Sequence, residues 1–321
     1  MLIKQAQIFQ LTDLDSLLEN LEEKLEKLEF KPCTSSAPVS IGWISPLEEF
    51  PDEEESDHFM YKIDSYVILC LKIEEKILPS TVVQQELKET IKNIEYLENR
   101  KVGQKEKFIL KVQITTKLLP KAFSQFTKIY AYIDFKKERL ILGTVNTKKT
   151  VQFISLFKKI LLEEIQPFDE INTLSNIMTE WLESQNCPAE FSIEKNCVLQ
   201  DPNNQMRMIR CQHQDLYSPN IQALVKDGYK IKQLALNWQD QIDFIVTNRL
   251  LLNSIRFTDQ FLERVKEVDV EPKQQFYSNF LIMADALSGL LEDLLGVIVT
   301  KQIKKLTDNI KVVQVVKKIS D

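Results

Sequence analysis

The chain has 321 residues, of which 44% are hydrophobic and 27% charged, and its formal net charge is −6. This length predicts two or three domains of about 100–150 residues each, and the lack of any run of about 18 apolar residues argues against a membrane span. The first residues lack the pattern of a secretory signal, and five irregularly spaced cysteines favour a reducing cytoplasm over a disulfide framework.

The first quarter of the chain is predicted to contain strands and one amphipathic helix. The predicted strands lie at 3–11, about 59–64 and about 66–74. Asp13 or Asp15 is expected to cap the helix, whose apolar face has leucine at positions 17, 18, 21, 25 and 28. The acidic stretch 45–58 contains prolines and is predicted to be a solvated loop.

Residues 80–117 form the longest predicted helical region, which is interrupted near Val102-Gly103 and ended by Leu118-Leu119-Pro120. Because an unbroken helix of this length is unusual in a globular core, we expect a helical hairpin that projects from the body. Residues 127–134 and 139–145 then alternate apolar and polar residues, which predicts a β-hairpin. A helix is predicted from Thr147. Its expected buried face consists of Val151, Ile154, Phe157, Ile160 and Leu161.

The second half of the chain is predicted to mix strands and helices in the same way. The predicted strands lie near 189–199, 205–213, 229–237, 241–247 and 252–257, and the helices near 173–184, 218–227 and 273–295. Hairpins with segregated helices favour an α+β fold with antiparallel sheets over a doubly wound parallel sheet. The pattern assigns no structure to the basic tail, 297–321.

Charge is distributed unevenly along the chain. Residues 99–159 contain fifteen Lys and Arg against three acidic residues, a net charge of +12, whereas residues 1–98 contain nine against twenty-one. Phosphates respond to the local field and not to the net charge of a protein. The middle segment therefore predicts a polyanion site, with a merely solvated basic surface as the alternative.

The predicted DNA contacts lie in or beside this segment. They are Lys76, Arg100, Lys101, Lys105, Lys107, Lys111, Lys117, Lys121, Phe123, Lys128, Lys148 and Lys149. An exposed phenylalanine among lysines would stack on bases or wedge between them. We expect Phe126 to be buried, while for Phe123 both an exposed and a buried ring remain open.

The sequence gives little sign of catalysis. The chain has two histidines and six glycines and contains no phosphate-binding glycine loop. Cys187, Cys197, Cys211 and His213 lack the spacing of a zinc site, and the acidic loop has no ordered ligand spacing for Mg²⁺. We therefore predict no catalytic residues, no metal and no cofactor.

Seven short segments resemble the recombination-associated RdgC proteins of proteobacteria, and the resemblance covers about residues 1–295. They are Phe30-Lys31-Pro32-Cys33, Gly42-Trp43, Glu74-Glu75-Lys76-Ile77-Leu78-Pro79-Ser80, Leu118-Leu119-Pro120-Lys121-Ala122-Phe123-Ser124, Thr179-Glu180-Trp181, Gln214-Asp215-Leu216, and Leu234-Ala235-Leu236-Asn237-Trp238-Gln239. The resemblance implies a nucleoid-associated cytoplasmic protein that binds duplex DNA with little sequence preference. It also implies a homodimer that closes into a ring around the duplex and opposes RecA-type recombinase filaments.

The resemblance also implies roles for particular segments. It makes 80–123 the projecting DNA-contacting element between two parts of an N-terminal α+β body, 1–79 and 124–165. Residues 166–296 become a second α+β body, followed by the tail. The dimer contact is expected at Gln212, His213, Gln214 and Asp215, where His213 replaces a lysine common in the family.

Two other functions remain open from the sequence. The acidic N-terminal region would suit a protein interaction module that docks a basic partner. The acidic loop would suit a metal-dependent nuclease.

Overall fold

The structure is a computed structural model that describes residues 3–12, 14, 19–48, 58–161, 165–167, 171–264 and 271–320. Its first sheet consists of β1 (Gln7–Gln10), β2 (Val39–Ile44), β3 (Met60–Ile63), β4 (Tyr66–Ile77), β5 (Phe123–Asp134), β6 (Arg139–Leu142) and β7 (Gln166–Pro167). All pairings are antiparallel, in the order β2-β4-β5-β6-β1-β7, with β3 also on β4.

The second sheet is also antiparallel and follows the order β12-β11-β10-β8-β9. Its strands are β8 (Phe191–Gln200), β9 (Met208–Cys211), β10 (Lys230–Trp238), β11 (Ile242–Thr247) and β12 (Leu252–Phe257). The N-terminal segment joins the two sheets, because the backbones of Ala6 and Leu252 exchange hydrogen bonds of 2.8 and 2.9 Å.

The described α-helices are α1 (Leu21–Glu26), α2 (Ser80–Glu98), α3 (Gln104–Leu118), α4 (Thr147–Phe157), α5 (Ile171–Ser184), α6 (Pro219–Lys226), α7 (Asp259–Arg264) and α8 (Pro272–Ser320). A single 3₁₀ turn, Leu119–Lys121, leads from α3 into β5. The protein is therefore mixed α and β with antiparallel sheets.

β4 is buried on both faces along its first half, because Tyr66 to Leu71 are all buried. One face packs with α1 and α4, where the Trp43 ring centroid lies 5.2 Å from that of Phe153 in an edge-on contact. The other face packs with the second sheet and α8, where the ring of Tyr132 contacts that of Phe280. After Leu71 this second cover ends and the strand becomes polar at Lys72.

α8 holds the two sheets together. From the first sheet, Tyr66 donates a hydrogen bond of 2.8 Å to Asp285 and Arg139 lies 2.7 Å from Glu292. From the second sheet, the Trp238 indole N–H donates a bond of 2.8 Å to Asp293. Both halves thus share one core, which fixes the surfaces at the end of the first sheet relative to the rest of the molecule.

Most predicted elements are confirmed, but some details differ. β2 was not predicted. Val151 is 58% exposed, so its predicted burial is wrong: it points away from the α4 face that buries Phe153 and Phe157. α8 runs on to Ser320, although its prediction ended near residue 295. Of the predicted N-terminal helix, Leu21 and Leu25 are buried as expected, whereas Asp13 and residues 15–18 lie outside the described residues.

Candidate nucleic-acid interface

α2 and α3 form a hairpin between the ends of β4 and β5, whose last and first residues, Ile77 and Phe123, are paired. The helices pack on each other. Of their residues only Val83 and Ile114 are buried, and Val102 is buried in the turn between them. Most of the hairpin surface is therefore open to solvent, as expected for an element that projects from the sheets.

The turn of the hairpin is closed by ion pairs. Arg100 donates two hydrogen bonds of 2.7 Å to Glu106 and one of 2.6 Å to Glu98. These bonds from Arg100 hold the pKa of the Glu106 carboxyl below its ordinary value. Glu95 accepts bonds of 3.1 Å from the Val102 backbone N–H and from Lys101. Two cations of the predicted contact set are thus engaged in holding the turn together.

Five other predicted contacts of the hairpin have no such carboxylate. Lys105, Lys107, Lys111, Lys117 and Lys121 make no ion pair with any carboxylate in the part of the chain that the structure describes. Lys107 and Lys111 are four residues apart, so they lie on one side of α3 about 6 Å apart along its axis. One strand of a duplex advances about 3.4 Å per phosphate, so this interval spans about two phosphates.

Two further cations were missed by the sequence prediction. Lys88 and Lys92 lie on α2, are exposed, and make no ion pair with a described carboxylate. Their spacing of four residues would have placed them on one side of a helix. They lie before the basic segment 99–159 in the sequence, in a stretch that also contains several glutamates, although α2 belongs to the same hairpin.

The lysines at the end of the first sheet differ from those of the hairpin. Lys72 and Lys128 are cross-strand partners on one face, and Glu48 binds both, at 2.5 and 3.0 Å. Lys76 lies on the same face at 3.8 Å from Glu74. Glu74 is buried and also accepts bonds of 2.6 Å from Ser124 and from the Cys33 backbone N–H. The charge of this face is therefore largely compensated within the protein.

Two phenylalanines near this face are exposed. Phe126 is 55% exposed, so the prediction that it is buried is wrong. It pairs with Glu74 on the part of the sheet that the second sheet does not cover, and the Lys72 ammonium lies 5.7 Å from its ring centroid. Phe123 follows the 3₁₀ turn and is 84% exposed. Of the two alternatives for Phe123, the exposed ring is therefore the one found.

Lys148 and Lys149 lie apart from the other predicted contacts, at the beginning of α4. Lys148 binds Glu75 at 2.5 Å. Since successive side chains of a strand point to opposite faces, Glu75 and Lys76 lie on opposite sides of the sheet. The predicted contact set is therefore not one continuous surface, and its hairpin part is the largest group that forms no ion pair with a described carboxylate.

The predicted dimer contact forms an exposed loop between β9 and α6. All four residues from Gln212 to Asp215 are exposed. His213 has a left-handed backbone with φ of 53° and its N–H donates to the Asn196 side chain at 3.0 Å. The Gln214 N–H donates to the Lys195 carbonyl at 3.1 Å. The loop is thus fixed by the neighbouring strand β8 while its side chains face solvent.

Neither a metal centre nor a membrane segment is found in the described part of the chain. No group of three or more His, Cys, Asp or Glu side chains there is placed to hold a metal ion, while the acidic residues 49–57 lie outside the described ranges. None of the described helices is long and apolar enough to span a bilayer.

Comparison with known proteins places these features in a family. Residues 1–301 match the family model described as "Putative exonuclease, RdgC". The chain is similar to the recombination-associated protein RdgC of Psychromonas ingrahamii, with 32% identity over 299 residues that cover 92% of this chain and 97% of that protein. It is also similar to the proteins of the same name from Yersinia pestis and Yersinia pseudotuberculosis, each 30% identical over 283 residues, or 86% of this chain and 90% of the relative. The chain therefore belongs to the RdgC family of recombination-associated proteins.

Proposed function

We propose that the protein binds duplex DNA without sequence preference, as a nucleoid-associated homodimer that encircles the duplex and restrains RecA-type recombination. The observation that carries this proposal is the hairpin, where five lysines on α3 and the 3₁₀ turn lack carboxylate partners among the described residues. Ammonium groups that form no ion pair with a described carboxylate are available to attract an external polyanion.

Binding of this kind is predominantly electrostatic. Lysines that neutralise phosphates release condensed counterions, which gives affinity but carries no information about base identity. The exposed Phe123 and Phe108, 84% and 69% exposed, flank the lysines and are suited to stacking on bases that become unpaired. A protein that occupies the duplex in this way would obstruct growth of a recombinase filament without any catalytic step.

The homodimer in this proposal uses the loop Gln212–Asp215. Two observations favour the loop as a contact: its side chains are exposed, and its backbone is held by bonds to Asn196 and Lys195. A loop that is already ordered loses little conformational freedom when it meets a partner. The mass of the protein in solution, measured with and without duplex, tests the dimer.

A pair of matched double variants tests the DNA site. Lys107→Glu with Lys111→Glu is expected to weaken binding to a random duplex by 10-fold or more in fluorescence anisotropy at low salt. Lys158→Glu with Lys159→Glu makes the same change in net charge at exposed positions that are not among the predicted contacts, and is expected to change affinity less than about 3-fold. Equal losses of affinity from both double variants would show that binding depends only on net charge. That result would contradict the hairpin as the DNA site.

A nuclease is the second candidate, because the description of the matching family reads "Putative exonuclease". Under our proposal, an end-labelled linear duplex incubated with the protein and Mg²⁺ or Mn²⁺ stays intact. Progressive shortening that follows the protein through purification would favour the nuclease.

A further inference from the structure

Two of the five cysteines lie directly opposite each other in the second sheet. Cys197 of β8 and Cys211 of β9 are register partners in an antiparallel pair. Partners of this kind point to the same face of a sheet, with their Cα atoms about 4.5 or 5.5 Å apart. Both spacings fall within the range of about 4.4–6.8 Å that a disulfide bridges. The backbone of the second sheet is therefore already placed for a bond between these two residues.

The two thiols also contact each other. Both residues are buried, with Cys197 3% and Cys211 8% exposed, and their sulfurs lie within hydrogen-bond reach of one another. Burial and the neighbouring Cys211 thiol raise the pKa of Cys197 above its ordinary value. Little of the reactive thiolate is therefore present at neutral pH. The sulfurs are close enough to bond, but the reaction is slow until an oxidant reaches them.

The other three cysteines have different surroundings. The thiols of Cys33 and Cys187 donate hydrogen bonds of 3.7 and 3.0 Å to backbone carbonyls, and Cys70 belongs to β4 in the first sheet. A structural zinc ion takes four ligands. Among the described residues, no third His, Cys, Asp or Glu side chain is placed to join Cys197 and Cys211. The pair is therefore better suited to a bond between its own sulfurs than to a metal.

β9 gives the pair a route to solvent. This strand is four residues long, lies at the edge of the second sheet, and pairs with β8 alone among the described strands. Two of its side chains, Met208 and Arg210, are exposed. A short edge strand with one neighbour opens locally at a lower free energy than a central strand. Cys211 can therefore meet a dissolved oxidant while the core stays folded.

We propose that Cys197 and Cys211 form a reversible disulfide within one chain, with a small-molecule disulfide such as oxidised glutathione as the oxidant. The Cys211 thiolate attacks the oxidant, which gives a mixed disulfide and releases one thiolate. The Cys197 thiolate then attacks the Cys211 sulfur and releases the second. Two protein thiols are thus oxidised and one disulfide is reduced to two thiols, which take up the two protons from solvent.

The disulfide acts on the loop that begins next to it. Gln212 follows Cys211 directly, and the loop Gln212–Asp215 is held to β8 by bonds to Asn196 and Lys195. A covalent bond between β8 and β9 prevents the local opening of β9 that would release this loop. The inference concerns a bond within one chain, so it depends neither on DNA binding nor on the dimer.

Peptide mapping of the full chain tests the bond. The native protein is incubated with oxidised glutathione, and its remaining thiols are alkylated before digestion with trypsin. The peptide 196–207 is expected to be linked to the peptide 211–226. Cys187→Ser, the matched control, is expected to retain this linked pair, and Cys197→Ser to lose it. The proposal would be overturned if the unaltered protein gave no linked pair, or gave it only after unfolding in urea.

Amide hydrogen exchange tests the effect on β9. Oxidation is expected to slow exchange in the segment 208–211 by about 10-fold or more, because β9 can then no longer separate from β8. The segment 252–257 in β12, at the opposite edge of the same sheet, is the internal control and should change by less than about 2-fold. Equal exchange at β9 in the reduced and oxidised proteins would show that the disulfide does not restrain the strand, and would overturn its proposed effect on the loop.

Discussion

The hairpin and the end of the first sheet are both rich in lysine, yet they use their charge differently. On the sheet, Glu48 binds Lys72 and Lys128, and Glu74 lies near Lys76. On the hairpin, the lysines from Lys105 to Lys121 have no such partner among the described residues. The number of cations in a segment therefore overstates the positive charge available to a ligand, because buried or neighbouring carboxylates compensate part of that charge.

The salt dependence of binding gives the largest expected effect. If the hairpins of two copies contact six to ten phosphates, affinity for a random duplex falls about 10³–10⁵-fold between about 50 and 200 mM salt. Lys107→Glu with Lys111→Glu flattens the log–log slope by about 1.8 per copy, since each lost phosphate contact removes about 0.9. Anisotropy titrations across salt measure this. A slope near zero in the unaltered protein would contradict the claim that the hairpin lysines bind DNA phosphates.

Loss of core packing in the body of the protein is expected to give the next largest effect, a decrease in the free energy of unfolding. Trp43 is fully buried against Phe153 and Phe157, so Trp43→Ala should lower the free energy of unfolding by about 3–5 kcal/mol. Phe108→Ala on the hairpin, where the ring is 69% exposed, should change it by less than about 0.5 kcal/mol. Urea denaturation of both variants is the measurement. A large loss from Phe108→Ala would show that the hairpin contributes to the core.

Release of the sheet lysines from their carboxylate tests whether ion pairs within the protein keep these lysines from binding DNA. Glu48→Gln removes the carboxylate that holds Lys72 and Lys128, so duplex affinity should rise on the order of 2- to 5-fold as these ammonium groups become available. Glu75→Gln is the matched control, because it frees Lys148 on the other side of the sheet. If the two variants raise affinity equally, the sheet face next to the hairpin has no special role.

The pH dependence of stability gives the smallest expected effect. Hydrogen bonds from Ser124 and from the Cys33 backbone hold the pKa of the Glu74 carboxyl below its ordinary value. A carboxyl with a lowered pKa stabilises the folded state above the pKa of the unfolded chain, near about 4.3, and this contribution disappears as the pH falls through the lowered value. Thermal unfolding of Glu74→Gln should therefore depend less on pH below about 5 than that of the unaltered protein. Parallel pH profiles would contradict the role of Glu74.

Local pattern predicted most elements of the fold, while its misses have identifiable causes. The hairpin was found because a helical region too long for a globular core is interrupted at Val102-Gly103 and ended at Pro120. β2 was missed since its pattern is interrupted at Gly42, where a side chain would come within 2.2 Å of the Phe30 backbone. The extension of α8 was missed because lysines at positions 301, 304 and 305 interrupt the apolar sequence pattern on which its prediction depended.

The site was less predictable than the fold. Which lysines are compensated depends on carboxylates that are remote in sequence: Lys148 and Glu75 are 73 residues apart, and Lys137 and Glu292 are 155 apart. No local pattern contains these pairs. The exposure of Phe126 likewise depends on where the second sheet stops covering the first, which is a property of the assembled molecule.

The junction between the N-terminal segment and β12 has a consequence for synthesis. Gln5 and Asn253 lie across it, 248 residues apart, with their side chains 3.5 Å from each other. At a translation rate of about 5–20 residues per second, about 12–50 s separate the emergence of these two positions from the ribosome. During that interval the first strand can join its own sheet but has no second sheet to meet, so nascent chains carry an uncovered apolar face until late in translation.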